Sequence, residues 1–172
     1  MNAQPKKMIQ IFTGEGAGKT SASLGRALRA LGHGRKVMLV QFMKGRRGIG
    51  EVKIQKRLPK LQVHQFGRRN FVNLENPSRR DKEIAKKGLE FLKQLKKWPD
   101  ILILDELCLA VSIGLVSEKE ALEVLKLIPR KTDTYVTGRK ASKKLKEFAD
   151  IVCKIELVKG PENWKARKGI EY

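Results

Sequence analysis

Short apolar runs alternate along this chain with longer stretches in which apolar residues recur every three or four positions. The runs are Met8–Phe12, Val37–Phe42, Leu61–Phe66, Ile101–Leu104, Thr134–Thr137 and Ile151–Val158. Several are apolar at consecutive positions, as in strands covered on both faces. Between them, Asn76-Pro77 reads as an N-cap followed by proline at the first helical position. The helix so opened presents Ile84, Gly88, Phe91, Leu92, Leu95 and Trp98 on one side, and Pro99 ends it. Ser117 and Glu120 read as a capping box before Ala121, Leu122, Leu125 and Ile128, with Pro129 as the stop. Strand and helix in alternation predict an α/β fold, a mostly parallel sheet with helices on both faces. Segments 44–51 and 67–76 carry Gly and Arg without periodicity and read as loops after strands. In an open parallel sheet, that is where ligands bind.

Composition narrows the partners. With 172 residues, 41% of them hydrophobic, the chain is expected to form a single domain spanning 1–172. No run approaches the ~20 apolar residues that a membrane span needs. The opening MNAQPKKMIQIF lacks the features of a secretory leader, so a cytoplasmic location is expected. Cys108 and Cys153 stand far apart beside apolar runs and read as buried thiols. His33 and His64 are isolated, and no chemical role is expected of them. The net charge of +20 would suit nucleic acid, acidic lipid or a polyanionic small molecule. Lysines dominate 79–97 and 139–146, however, where they alternate with apolar residues as on a solvated helical surface. Nucleic acid is therefore not the expected partner.

The candidate chemistry begins at Thr13-Gly14-Glu15-Gly16-Ala17-Gly18-Lys19-Thr20, between the first strand and a helical pattern. This is nearly the P-loop, with Thr13 where its first Gly normally stands. Glycines let successive backbone N–H groups face phosphate oxygens, and the helix N-terminus adds positive charge there. Lys19 brings a mobile full charge, and the Thr20 hydroxyl can ligate Mg²⁺. The strand 101–104 runs into Asp105 and Glu106, the acids such a site needs opposite Thr20. Which of the two stands closer to the metal is open. Arg139, after Thr137-Gly138, offers a planar cation to a polyphosphate, or simply opens a basic helix.

These residues resemble the P-loop type of ATP:cob(I)alamin (corrinoid) adenosyltransferase, and the resemblance spans nearly the whole chain. It rests on residues 13–45, Gly50-Glu51, ILILDEL (101–107), VTGR (136–139) and KARKGIEY (165–172). Gly32-His33-Gly34, Gln41-Phe42-Met43-Lys44-Gly45 and the Gly-Ile-Glu-Tyr end are its most specific parts. The resemblance implies a P-loop NTPase-like (RecA-like) fold with ATP lying in reversed direction, its ribose 5′ carbon open to cobalt(I) of cobalamin or cobinamide. Gly14, Glu15, Gly16, Ala17, Gly18, Lys19 and Thr20 would then hold the triphosphate, and Arg29 would reach the nucleotide. Thr20 and Glu106, with Asp105 beside them, would serve Mg²⁺. Arg139 would bind phosphate, and Phe71 would approach the lower face of the corrin. A homodimer and a separate reductase supplying cobalt(I) are implied in the same way.

The expected catalysts are Lys19, Glu106 and Arg139. Cobalt(I) is itself a strong nucleophile, so the protein's task is to neutralise a departing triphosphate. Three positions depart from the family. Ala17 stands where Lys is frequent, Glu15 where Asn is frequent, and Asn73 where a Trp often follows the lower-face Phe. The rival reading is an ATPase stimulated by nucleic acid, with Glu106 activating water.

Overall fold

A computed structural model describes residues 8–161, 163 and 165–170. The N-terminal reading over residues 1–7 falls outside the described residues, as do Glu171 and Tyr172 of the terminal motif. Six strands form one sheet: β1 (Ile9–Thr13), β2 (Val37–Phe42), β3 (Leu61–Phe66), β4 (Ile101–Asp105), β5 (Asp133–Thr137) and β6 (Ile151–Lys154). Their order is β3-β2-β4-β5-β1-β6, and every pairing is parallel. The helices are α1 (Lys19–Gly32), α2 (Gly50–Ile54), α3 (Arg79–Lys93), α4 (Leu107–Ser112), α5 (Glu118–Leu127) and α6 (Lys143–Phe148).

The unbroken apolar runs follow from cover on both faces. Val37 and Leu39 of β2 and Ile101 and Ile103 of β4 pack with Ala27 and Ala30 of α1. The alternate residues Met38, Val40, Leu102 and Leu104 belong to a larger cluster with Ala85, Leu89 and Leu92 of α3 and Val124 and Leu125 of α5. Side chains alternate across a strand, so both sets must be apolar. The edge strands β3 and β6 are only half-buried, which is why their patterns are mixed.

Three local expectations are corrected. The helix expected at Asn76-Pro77 starts at Arg79, because Ser78 and Asp81 close a reciprocal capping box that Asn76 cannot match. It ends at Lys93, with Leu95 and Trp98 packing onto the core from beyond the last turn. β6 stops at Lys154, because Ile155 turns its backbone to the loop after β1: Ile155 N–H donates to Thr13 O at 2.7 Å, and Gly16 N–H donates to Ile155 O at 3.0 Å. The Ser117–Glu120 box caps α5 as expected. Cys153 is half-buried rather than buried, and accepts from Gln10 Nε2 at 3.1 Å. Cys108 is buried, and burial pushes its thiol up to about 12.

Candidate active site

The carboxyl ends of β1, β4 and β5 meet in one place, and the loop after β1 forms its floor. Gly14 and Gly18 take φ of 104° and 100°, values open chiefly to glycine. A Cβ on Gly14 would lie 2.3 Å from Ile155 O, so the loop is pressed backbone to backbone against the end of β6. α1 starts at Lys19 with no acid in its first turn, leaving its positive end uncompensated. Lys19 is buried and its Nζ donates to Gly16 O at 2.5 Å, curled into the loop it serves. Burial, with Arg139 adding to it, lowers its pKa, while Glu106 and Glu15 pull the other way.

Opposite the loop, Asp105 is fully buried and accepts from four donors. Thr20 Oγ1 donates at 2.7 Å and Thr137 Oγ1 at 2.8 Å, both to Oδ1. Lys44 Nζ donates at 2.7 Å and Gln41 Nε2 at 3.1 Å, both to Oδ2. Burial alone would raise this carboxyl, but the Lys44 ammonium and the hydroxyl donors outweigh it and hold it below the usual carboxylate range. Asp105 in turn outweighs the burial of Lys44 and holds that ammonium above its usual value.

Glu106 is placed differently. It sits at φ 61°, a left-handed conformation unusual for glutamate, and its N–H donates to Thr137 Oγ1 at 3.0 Å. Its Oε2 is buried without a hydrogen-bond partner. Burial, then the neighbouring Asp105, raises its pKa above the ordinary glutamate value. An orphaned hard oxygen beside the Asp105–Thr20 pair fits a Mg²⁺ ligand, and Thr20, as donor to Asp105, keeps lone pairs for the same ion. Among the described residues no group of three or more His, Cys, Asp or Glu could hold a metal alone.

Arg139 follows Gly138 at the end of β5, and its Nη1 lies 3.3 Å from Glu15 Oε2 across the loop. The acid in the loop thus faces a cation, and both side chains are exposed. Arg29 stands exposed in the last turn of α1. The axis climbs roughly 15 Å from Lys19 to that point. Phe71 is 84% exposed in the loop after β3, with the Arg46 guanidinium 4.2 Å above its ring.

Two cavities open beside Lys44. One, of about 530 Å³, runs from Thr20 and Ser21 along the apolar side of α1. The other, of about 450 Å³, reaches Met43, Arg46 and Phe71. Lys44, Gln41 and Thr137 are site residues for which the sequence alone predicts no role. The signal was present: each is a polar residue at or just past the end of a buried strand. Only the strand order says that all three meet Asp105.

A phosphate-gripping loop between β1 and α1, facing a buried acid at the end of β4, defines a P-loop nucleotide-binding protein. The family described as ATP:corrinoid adenosyltransferase BtuR/CobO/CobP matches residues 5–172, and the chain belongs to that family. It is 34% identical over 170 residues to the corrinoid adenosyltransferase of Pseudomonas aeruginosa, covering 96% of this chain and 83% of that one. It is 33% identical to the corrinoid adenosyltransferase of Sinorhizobium sp, covering 97% and 81%. It is 32% identical to that of Escherichia coli K12, covering 96% and 85%.

Proposed function

We propose that this protein transfers the 5′-deoxyadenosyl group of ATP to the cobalt(I) of a corrinoid and releases triphosphate. The observation that carries the reading is the convergence of Lys19, Thr20, Asp105, Glu106 and Arg139 in a chain that matches the family from residue 5 to 172. The amides of Gly14 to Thr20 cradle the triphosphate, and Lys19 leaves Gly16 O to meet it. Arg139 exchanges Glu15 for a phosphate oxygen. Thr20 and Glu106 would hold Mg²⁺, which would supply positive charge to the phosphates. Asp105 fixes the Thr20 hydroxyl without leaving its own four donors. These groups stand in place before the reaction, so little reorganisation opposes the departure of a highly charged leaving group. Phe71, beside the second cavity, meets the corrin. Two copies pair as a dimer in the cytoplasm, and a separate reductase supplies cobalt(I).

The test is to mix the protein with ATP, Mg²⁺ and chemically reduced cobalamin, then follow the visible spectrum and the phosphate products. A light-sensitive cobalt–carbon product and triphosphate are expected, and chelating the metal with EDTA should abolish both. ADP and orthophosphate with an unchanged spectrum would replace this reading with the hydrolase.

A further inference from the structure

Resting on that reading, we propose that Lys44 is a catalytic residue, the cation that meets the oxygen leaving the ribose 5′ carbon. Lys19 and Arg139 both gather at the loop after β1, where they grip the phosphate chain. The bond that breaks must lie elsewhere, where the nucleotide's space meets the space of the cobalt partner. Lys44 lines both cavities, the one that starts at Thr20 and the one that reaches Phe71. Glu51, the other residue common to both, is an acid and would repel the same oxygen.

The aim of Lys44 is built into the backbone. Met43 before it takes φ of 61°, and its N–H donates to Phe66 O at 2.9 Å. A Cβ on Gly67 would lie 2.2 Å from the Met43 carbonyl carbon, and one on Gly45 would lie 2.3 Å from Gly67 O. The chains leaving β2 and β3 therefore press together on both sides of Lys44, and a strained residue is held there by its surroundings. Asp105 Oδ2 fixes the ammonium at 2.7 Å. A lysine has three N–H donors, so two remain beyond that bond, and the side chain is 32% exposed.

In the step, the cobalt(I) electron pair forms the cobalt–carbon bond. The C5′–O bond breaks, and its electrons stay on the α-phosphate oxygen. Cobalt is formally oxidised by two electrons, the carbon accepts them, and no proton moves. Charge grows on that oxygen as the bond lengthens, and an N–H of Lys44 aimed at it binds the transition state more tightly than ATP.

The test compares Lys44→Ala, Lys44→Gln and, as a surface control, Lys53→Ala in single-turnover adenosylation of chemically reduced cobalamin at saturating ATP. Lys44→Gln keeps a donor for Asp105 and so guards against loss of the fold. Both Lys44 variants should slow the transfer step by roughly 10²- to 10³-fold. ATP affinity by equilibrium dialysis should stay within about threefold, because the contact strengthens chiefly in the transition state. Methylammonium should restore part of the rate to Lys44→Ala and none to Lys53→Ala. An undiminished transfer rate in Lys44→Gln, or weaker ATP binding as the whole effect, overturns the role of Lys44. A wild-type protein that yields ADP and orthophosphate fails earlier and sinks the adenosyl-transfer reading instead.

Discussion

The loop after β1 and the paired loops after β2 and β3 stand at the same end of the sheet, yet they are held by different means. The first is braced by β6 and has its charges matched: Lys19 on Gly16 O, Arg139 on Glu15, Thr20 on Asp105. The second pair is braced where Gly45 and Gly67 touch, by Lys44 on Asp105 and by Arg68 on Asp81, and then runs out to Phe71, exposed beneath Arg46. Among the described residues, Arg47 and Arg69 there form no ion pair. A polyanion of fixed shape can be met by a preset cradle. A large, flat, mostly neutral partner calls for an open aromatic surface. The contrast is thus between a site organised before its ligand arrives and one completed by it.

Removing the hub should damage the organised side most. Asp105→Ala leaves Lys44, Gln41 and two hydroxyls without their acceptor, and should cost about 3–5 kcal/mol of stability in denaturant titration together with activity. The pH dependence follows from the depressed carboxyl. Its stabilisation is complete above the unfolded value near ~3.9 and is lost as pH falls through the lower folded value. Asp105→Asn should therefore flatten the acid limb of a melting-temperature profile. An equal loss on truncating any exposed arginine of the second loops would erase the contrast.

Lys19→Ala should lower the transfer rate roughly 10²- to 10³-fold while the melting temperature holds, since a lysine bonded to its own loop supports little else. Glu106 sharpens the comparison through pH. Its carboxyl is raised by burial and by Asp105, so the metal-binding anion should disappear as pH falls through a value above the ordinary glutamate one. At limiting Mg²⁺, where metal and proton compete for this carboxylate, metal affinity should fall on acidification in the wild type, and that acid limb should be missing from Glu106→Gln.

On the open side the effects should be smaller. Phe71→Ala removes an exposed ring, so it should raise the corrinoid KM roughly three- to tenfold, about 0.5–1.5 kcal/mol, and leave thermal stability unchanged. Smallest is Glu15→Gln, which breaks an exposed pair and should shift stability by about 0.2–1 kcal/mol at most. Freed from Glu15, Arg139 should bind ATP a few-fold more tightly, as nucleotide titration would read. Weaker ATP binding would mean that Glu15 positions Arg139 instead of competing for it.

Much of the frame can be read along the chain, because covered parallel strands and capped helices leave local patterns. The runs at Val37–Phe42 and Leu61–Phe66 coincide with β2 and β3, and Ser117 with Glu120 marks the start of α5. The loop from Gly14 to Thr20 declares itself because backbone curvature there demands glycine in a set order. Asn76-Pro77 misled because two adjacent capping signals compete. Ser78 wins through its partner Asp81, which Arg68 anchors with a bidentate bond at 2.6 and 2.8 Å.

The class of fold, the phosphate loop and the acids at the end of β4 are all legible along the chain. Each depends on spacing within a few residues, and such spacing survives in a linear string. It takes the folded chain to show that Asp105 is shared by Thr20, Gln41, Lys44 and Thr137, while Glu106 beside it keeps an unpartnered oxygen. That sharing follows from the order β2-β4-β5-β1, which brings the ends of distant strands within hydrogen-bond reach of one buried charge. A charge without water must collect its donors from whatever the fold places around it, and no local pattern records which residues those are.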